Sequence, residues 1–106
     1  MQSIYNKLVR DNIPEIIKAA GKTSRIHILT ESEYISELDK KLGEEVAEYQ
    51  ADKSLEELAD ILEVMYAIVS ARGYSVAELE AVRKEKAEKR GTFEKRIFLE
   101  RVDDND

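Results

Sequence analysis

The sequence predicts a mainly α-helical protein, built as an antiparallel four-helix bundle with a small two-stranded β element. Apolar residues recur every three or four positions through the middle of the chain, which is the spacing of one helix face. Three Ser/Thr-x-x-Glu sequences have the spacing of a capping box, which marks the start of a helix. With 106 residues the chain buries only a modest core, so we expect oligomerisation to complete it.

The first two helices follow from their end signals. The first is expected to begin at Asp11 or Asn12, with Pro14 in its first turn, and to end at Gly21. Thr30 and Glu33 form the first capping box, and a helix from about Ser32 to Ala51 follows it.

The third and fourth helices carry the same signals. Ser54 opens a helix that runs to about Arg72, where Gly73 stops it. Ser75 opens the last helix, which continues to about Arg90 and is closed by a glycine.

Two short segments are expected to be strands. SRIHIL (24–29) alternates polar and apolar residues, and TFEKRIFLERV (92–102) is rich in aromatic and branched residues. An antiparallel pairing of the two is the predicted β element. Residues 103–106 are expected to fray, and no linker divides the chain, so residues 1–106 are predicted to form one domain.

Composition excludes several classes of site. The chain has no Cys and one His, which excludes disulfides, thiolate zinc sites, cysteine nucleophiles and multi-histidine metal centres. Its formal charge of −6 disfavours a nucleic-acid polymer as partner. It carries no apolar segment near the ~20 residues of a membrane span and no signal-peptide pattern, so a soluble, cytoplasmic protein is expected.

Several acidic residues of the second and third helices lie at positions where buried apolar residues are expected. Glu45 falls within the apolar stripe of the second helix, Glu48 borders that stripe, and Glu44 lies further out. Glu57 and Asp60 lie on the third helix, which is apolar on almost every side.

Each helix therefore carries an i, i+3 pair of carboxylates, and the two pairs would face each other in an antiparallel hairpin. Such a group holds either protons or cations, and a hard divalent ion is the simpler answer: Mg²⁺, with Mn²⁺ as a substitute. A di-iron centre is disfavoured because it expects Glu-x-x-His pairs. Two simpler interpretations stay open, namely that Glu57 completes a capping box and that Glu44 and Glu48 are solvated helix residues.

The motifs EEVAE and EELAD resemble the EExxE and ExxD signature of the all-α, MazG-like nucleoside triphosphate pyrophosphohydrolases. YNKLVRDNIPEII and KRGTFEKRIFL are similar to segments of the phosphoribosyl-ATP pyrophosphohydrolase-like branch of that superfamily. The resemblance implies magnesium-dependent cleavage between the α and β phosphates of a nucleotide, giving a nucleoside monophosphate and pyrophosphate. It also implies a homodimer or homotetramer that shares a helical bundle.

By position, the resemblance implies the following magnesium ligands: Glu45, Glu48, Glu57 and Asp60. Glu44 or Glu48 is the expected acceptor of the proton of the attacking water. The basic residues near the chain ends are candidates for gripping phosphate: Lys86, Lys89, Arg90, Arg96, Lys7 and Arg10.

The base and sugar of the substrate stay open, because only residues 50–53 lie between the two motif helices and leave no room for a base-recognition loop. The alternative function is a non-enzymatic helical module for dimerisation or partner binding, in which the acids tune solubility or bind the partner.

Overall fold

The computed structural model describes residues 2–105, and within that range it contains four α-helices and no strand. The helices are Ile13–Ala19 (α1), Glu31–Asp52 (α2), Leu55–Ala71 (α3) and Val76–Arg90 (α4). The predicted mainly α class is confirmed, and each helix begins and ends within a residue or two of its predicted limits. The chain divides into two compact units, Met1–Tyr74 with α1 to α3 and Ser75–Asp106 with α4.

Hydroxyl caps start the three longer helices. The Thr30 hydroxyl accepts a hydrogen bond from the Glu33 N–H at 3.3 Å, and the Glu33 carboxylate accepts one from the Thr30 N–H at 3.0 Å, which completes a capping box. Ser54 caps α3 and Ser75 caps α4 in the same way, each accepting from the backbone N–H three residues later. These contacts satisfy N–H groups that have no partner inside the helix.

A two-residue link joins α2 to α3. Lys53 adopts a left-handed conformation with a φ of 60°, and its N–H donates to the Tyr49 carbonyl at 2.7 Å. Ser54 is already the cap of α3. The chain therefore reverses at once, and the two helices pack as an antiparallel hairpin. An ion pair of 2.8 Å between Arg72 and Asp39 joins them at the other end.

The hairpin has a small core and a large exposed apolar surface. Leu38 and Val64 are the buried hydrophobic residues of the described chain. On α3, Leu58 and Leu62 are each 44% exposed and Leu55 is 81% exposed. The broad apolar face predicted for α3 is therefore present, and much of it is left uncovered.

The prediction of a two-stranded β element is wrong for the described residues. Ile28 is 88% exposed in segment 24–29, and Phe98 is 87% exposed in segment 92–102. The backbone hydrogen bond within 92–102 is a turn contact, from the Arg96 N–H to the Phe93 carbonyl at 3.2 Å. Alternation along the sequence favours a strand only where a partner strand and an apolar surface cover it, and these segments lack that cover.

Residues 103–105 are exposed and have no regular structure, and residue 106 lies outside the described residues, so the fraying of residues 103–106 stays a prediction. Across residues 2–105, no helix combines the length and apolar character needed to cross a membrane.

Candidate metal centre

The hairpin brings together acids from its two helices next to the link. Glu45 of α2 and Glu57 and Asp60 of α3 each offer a carboxylate oxygen, and these three oxygens all lie within 4.8 Å of one another. Three of the four predicted ligands thus form one group, which we call the acid cluster. The fourth, Glu48, is exposed and lies outside this group of three oxygens.

Glu45 is the buried member of the acid cluster. Only 7% of the residue is exposed, and its Oε2 atom has no hydrogen-bond partner. Burial raises the pKa of Glu45; Lys41 partly offsets this rise, while the charges of Glu48 and Asp60 add to it. A buried carboxylate with an unpaired oxygen is costly to the folded protein, so the site favours a cation or a proton at this atom.

Glu57 and Glu33 each follow a hydroxyl cap, but their carboxylates lie in different surroundings. Both residues donate their backbone N–H to a hydroxyl cap, but only the Glu33 carboxylate turns back to complete its box, and this bond lowers the pKa of Glu33. The Glu57 Oε2 atom is instead buried without a hydrogen-bond partner. Burial raises the pKa of Glu57, and the neighbouring Glu48 carboxylate raises it further. The capping-box interpretation therefore accounts for the Glu57 backbone but not for its carboxylate.

Asp60 lies at the open edge of the acid cluster. Its side chain is 39% exposed, and Oδ1 accepts a hydrogen bond of 2.7 Å from Nη2 of Arg10. Arg10 Nη1 also lies 3.9 Å from a carboxylate oxygen of Glu63. A basic residue predicted to grip phosphate thus lies beside the acid cluster, with 57% of its own side chain exposed.

Lys41 is the residue that the sequence reasoning missed. Its Nζ atom lies 3.4 Å from Oε1 of Glu45 and 3.5 Å from Oε2 of Glu44, and its side chain is only 16% exposed. Glu44 itself is exposed and pairs with this lysine. The signal was present in the sequence, since a lysine four residues before a glutamate on one helix lies on the same face.

The other predicted phosphate-binding residues are exposed. Lys7 lies over the Tyr5 ring, 5.8 Å from its centroid. In the second unit, Lys86, Lys89 and Arg90 line one surface groove, where Lys89 also pairs with Glu85 at 2.8 Å. An adjacent groove is lined by residues that include Arg90, Arg96 and Phe93. Their role in phosphate binding stays a prediction.

The donor set fits a hard divalent cation. All three groups of the acid cluster are carboxylates, the ligands that Mg²⁺ and Mn²⁺ accept in proteins. Two of them carry a buried oxygen without a partner, Oε2 of Glu45 and Oε2 of Glu57. A buried carboxylate oxygen without a partner destabilises the folded state, and a bound cation removes that penalty.

Comparison with known proteins gives little on function. No family model matches the chain, and no solved structure matches it. A stretch of 45 residues, 42% of the chain, is 56% identical to a protein of Mycolicibacterium smegmatis that is described only as uncharacterized. The match spans 46% of that protein's length, so the chain corresponds to about half of this relative.

Proposed function

We propose that this protein is a magnesium-dependent nucleotide pyrophosphohydrolase, which hydrolyses the α–β phosphoanhydride of a nucleotide to a nucleoside monophosphate and pyrophosphate. The observation that carries the proposal is the acid cluster, with its three carboxylate oxygens within 4.8 Å and two buried oxygens without partners. The reaction assigned to it rests on the resemblance of EEVAE and EELAD to the MazG-like signature.

The acid cluster is the proposed metal site, with Glu48 as a further ligand from the helix turn after Glu45. Bound Mg²⁺ supplies positive charge to the phosphate oxygens and makes a bound water easier to deprotonate. Mn²⁺ is a suitable substitute because it accepts the same oxygen donors.

Proton transfer falls to the glutamates at the edge of the acid cluster. Glu44 and Glu48 are exposed and stay accessible to a water that enters from solvent. One of them accepts the proton of the attacking water, while the bond between the attacked phosphorus and the bridging oxygen breaks and the electron pair leaves on pyrophosphate.

Basic side chains balance the charge of the nucleotide phosphates. Arg10 is the best placed, since it contacts Asp60 and still exposes 57% of its side chain. The other basic residues predicted to bind phosphate stay candidates: Lys7, Lys86, Lys89, Arg90 and Arg96. A guanidinium such as that of Arg10 suits this task because it can donate two hydrogen bonds to one phosphate.

The exposed apolar face of α3 supports assembly into a homodimer or homotetramer. Leu58 and Leu62 are only about half covered. Pairing of two hairpins over these faces would give a four-helix bundle with α2 and α3 from each chain and a core of ordinary size. We propose a cytoplasmic location for the enzyme.

The same face favours the alternative, a non-enzymatic helical module that pairs with itself or a partner. Assembly alone does not separate the two functions, because both require it. The acid cluster supports the enzyme over the module, since a buried glutamate without a partner on Oε2 is costly unless a cation binds it.

The test is an assay of pyrophosphate release with Mg²⁺ and a panel of ribonucleoside and deoxyribonucleoside triphosphates and phosphoribosyl-ATP. We expect wild-type protein to release pyrophosphate from at least one member, and Glu45→Gln and Glu57→Gln to lose at least about 100-fold of that rate, as typical for removal of a group that stabilises the transition state. Glu56→Gln is the matched control, because Glu56 adjoins Glu57 but is exposed. A folded, magnesium-loaded sample that turns over none of these nucleotides would refute the enzyme proposal and favour the pairing module.

A further inference from the structure

We infer that Lys41 is a resident counter-ion of the acid cluster, and that its ammonium group leaves Glu45 when a divalent cation binds. The inference rests on the proposed metal site and adds a residue that neither the EEVAE nor the EELAD motif contains. It makes Lys41 a determinant of how much magnesium the site requires.

The position of Lys41 sets it apart from its neighbour. Lys40 is 68% exposed and pairs at 3.3 Å with Glu37 on the outer surface of α2. Lys41 is only 16% exposed, and its ammonium lies between Glu44 and Glu45. A lysine is seldom covered to this extent unless its charge is compensated, so the two glutamates hold it in place.

The contacts of Lys41 are close enough to balance charge but too long to be strong. Charge-assisted N–H···O hydrogen bonds are typically about 2.7–2.9 Å long. The Nζ atom of Lys41 lies 3.4 Å from Oε1 of Glu45 and 3.5 Å from the Glu44 oxygen. Oε2 of Glu45 has no partner at all. Lys41 thus neutralises the cluster only in part, and breaking these contacts costs less than breaking charge-assisted hydrogen bonds of ordinary length.

A metal ion and the Lys41 ammonium compete for the same carboxylate. Mg²⁺ binds oxygen at about 2.0–2.1 Å, so an ion on Glu45 would stand within a few ångströms of the position that the ammonium now holds. Like charges at that separation repel strongly in a site with little water. The flexible four-carbon stem of lysine lets the ammonium swing out to solvent while the stem stays packed on the helix.

Displacement has a consequence for binding and for the metal-free protein. Part of the energy of magnesium binding is used to break the Lys41 contacts, so the ion binds less tightly than the acids alone would allow. Without metal, Lys41 reduces repulsion among the carboxylates and stabilises the hairpin. The residue therefore favours the empty site at low magnesium concentration.

The direct test is amine labelling of the wild-type chain. The protein is acetylated with an N-hydroxysuccinimide ester, with and without MgCl₂ as the only probe, and modification at each lysine is followed by peptide mass spectrometry. We expect magnesium to raise the labelling rate of Lys41 severalfold and to leave that of Lys40 unchanged, which makes Lys40 an internal control.

A second measurement uses substitutions. Magnesium affinity is obtained by calorimetric titration for wild type, Lys41→Met and Lys40→Met. Removal of the competing charge should tighten binding to Lys41→Met by about tenfold, the equivalent of about 1.4 kcal/mol, while Lys40→Met should match wild type. The labelling test uses the wild-type sequence, so it decides the matter even if Lys41→Met does not fold.

The outcomes separate this inference from the proposed function. If magnesium changes neither the melting midpoint nor the calorimetric signal of wild type, the metal site itself is wrong and the inference falls with it. If magnesium binds but Lys41 labelling is unchanged, or Lys41→Met binds magnesium no more tightly, the metal site stands and only the role of Lys41 is overturned.

Discussion

Glu45→Gln replaces a buried carboxylate by an amide of nearly the same volume, and it tests the acid cluster most sharply. The wild-type carboxylate is 7% exposed, and its Oε2 atom lacks a partner. The amide stays buried, but removing the charge relieves the cost of burying an ion and its repulsion from Glu48 and Asp60, a gain of about 1–3 kcal/mol. It also loses the contact with Lys41, which contributes about 1 kcal/mol or less. We therefore expect the metal-free variant to be more stable than wild type by about 1 kcal/mol.

Magnesium should stabilise wild type and have little effect on Glu45→Gln. A ligand at about ten times its Kd stabilises the folded state by about 1.4 kcal/mol, which raises the melting midpoint of a small domain by about 5–10 °C. Wild type should show this rise, whereas Glu45→Gln should melt about 4–8 °C higher without metal and respond little to magnesium.

The assay is thermal melting at pH 7 with a series of MgCl₂ concentrations at fixed ionic strength and protein concentration. Glu56→Gln is the control, since it removes the same charge from an exposed site of the same hairpin and should keep the full magnesium response. A Glu45→Gln variant that keeps the wild-type magnesium response, or that melts several degrees lower without metal, would refute the reasoning.

Three further predictions follow from contacts described above. Burial raises the pKa of Glu45 above its ordinary value, so its ionised form destabilises the folded protein at pH 7. The midpoint difference between Glu45→Gln and wild type should therefore shrink as the pH is lowered in metal-free melts, and a difference independent of pH would contradict this. Arg10→Ala removes an exposed ion pair with Asp60 and should change the free energy of unfolding by about 0.5 kcal/mol or less. It should also raise the KM for the nucleotide at least severalfold, and an unchanged KM would show that Arg10 does not bind the phosphate. Leu62→Arg places a charge on the exposed apolar face of α3 and should convert the assembly to monomers in light scattering after size exclusion, whereas an unchanged mass would locate the assembly surface elsewhere.

The helices were predictable because their signals are local. A hydroxyl cap, a glutamate three residues later and a glycine after the last turn all act within a few residues, and the caps at Thr30, Ser54 and Ser75 formed as expected. The strands were not predictable in the same way. Segment 24–29 has the alternation of a strand, but a strand depends on a distant partner that alternation alone does not supply.

The acid cluster was predictable from the sequence in part. Helix periodicity placed Glu45, Glu57 and Asp60 on facing surfaces, and the short link forced those surfaces together. What periodicity could not give is which way each side chain turns. The Glu33 carboxylate bonds back to its cap, whereas the Glu57 carboxylate has a buried oxygen without a partner. Likewise, the Lys41 side chain is largely covered, whereas that of Lys40 is exposed. Burial and neighbouring charges determine which rotamer each side chain adopts, and the sequence pattern does not show this.

The sharp bend at Lys53 and Ser54 has a further implication. Because the chain turns within two residues, the whole acid cluster is contained in the 16 consecutive residues from Glu45 to Asp60, and the short link limits how far its parts can separate. An insertion at this bend would free α3 to rotate and slide against α2, and the carboxylates would no longer be held close together. A chain with a longer connection here would need other contacts to hold its acids together, whereas in this hairpin the short link does so.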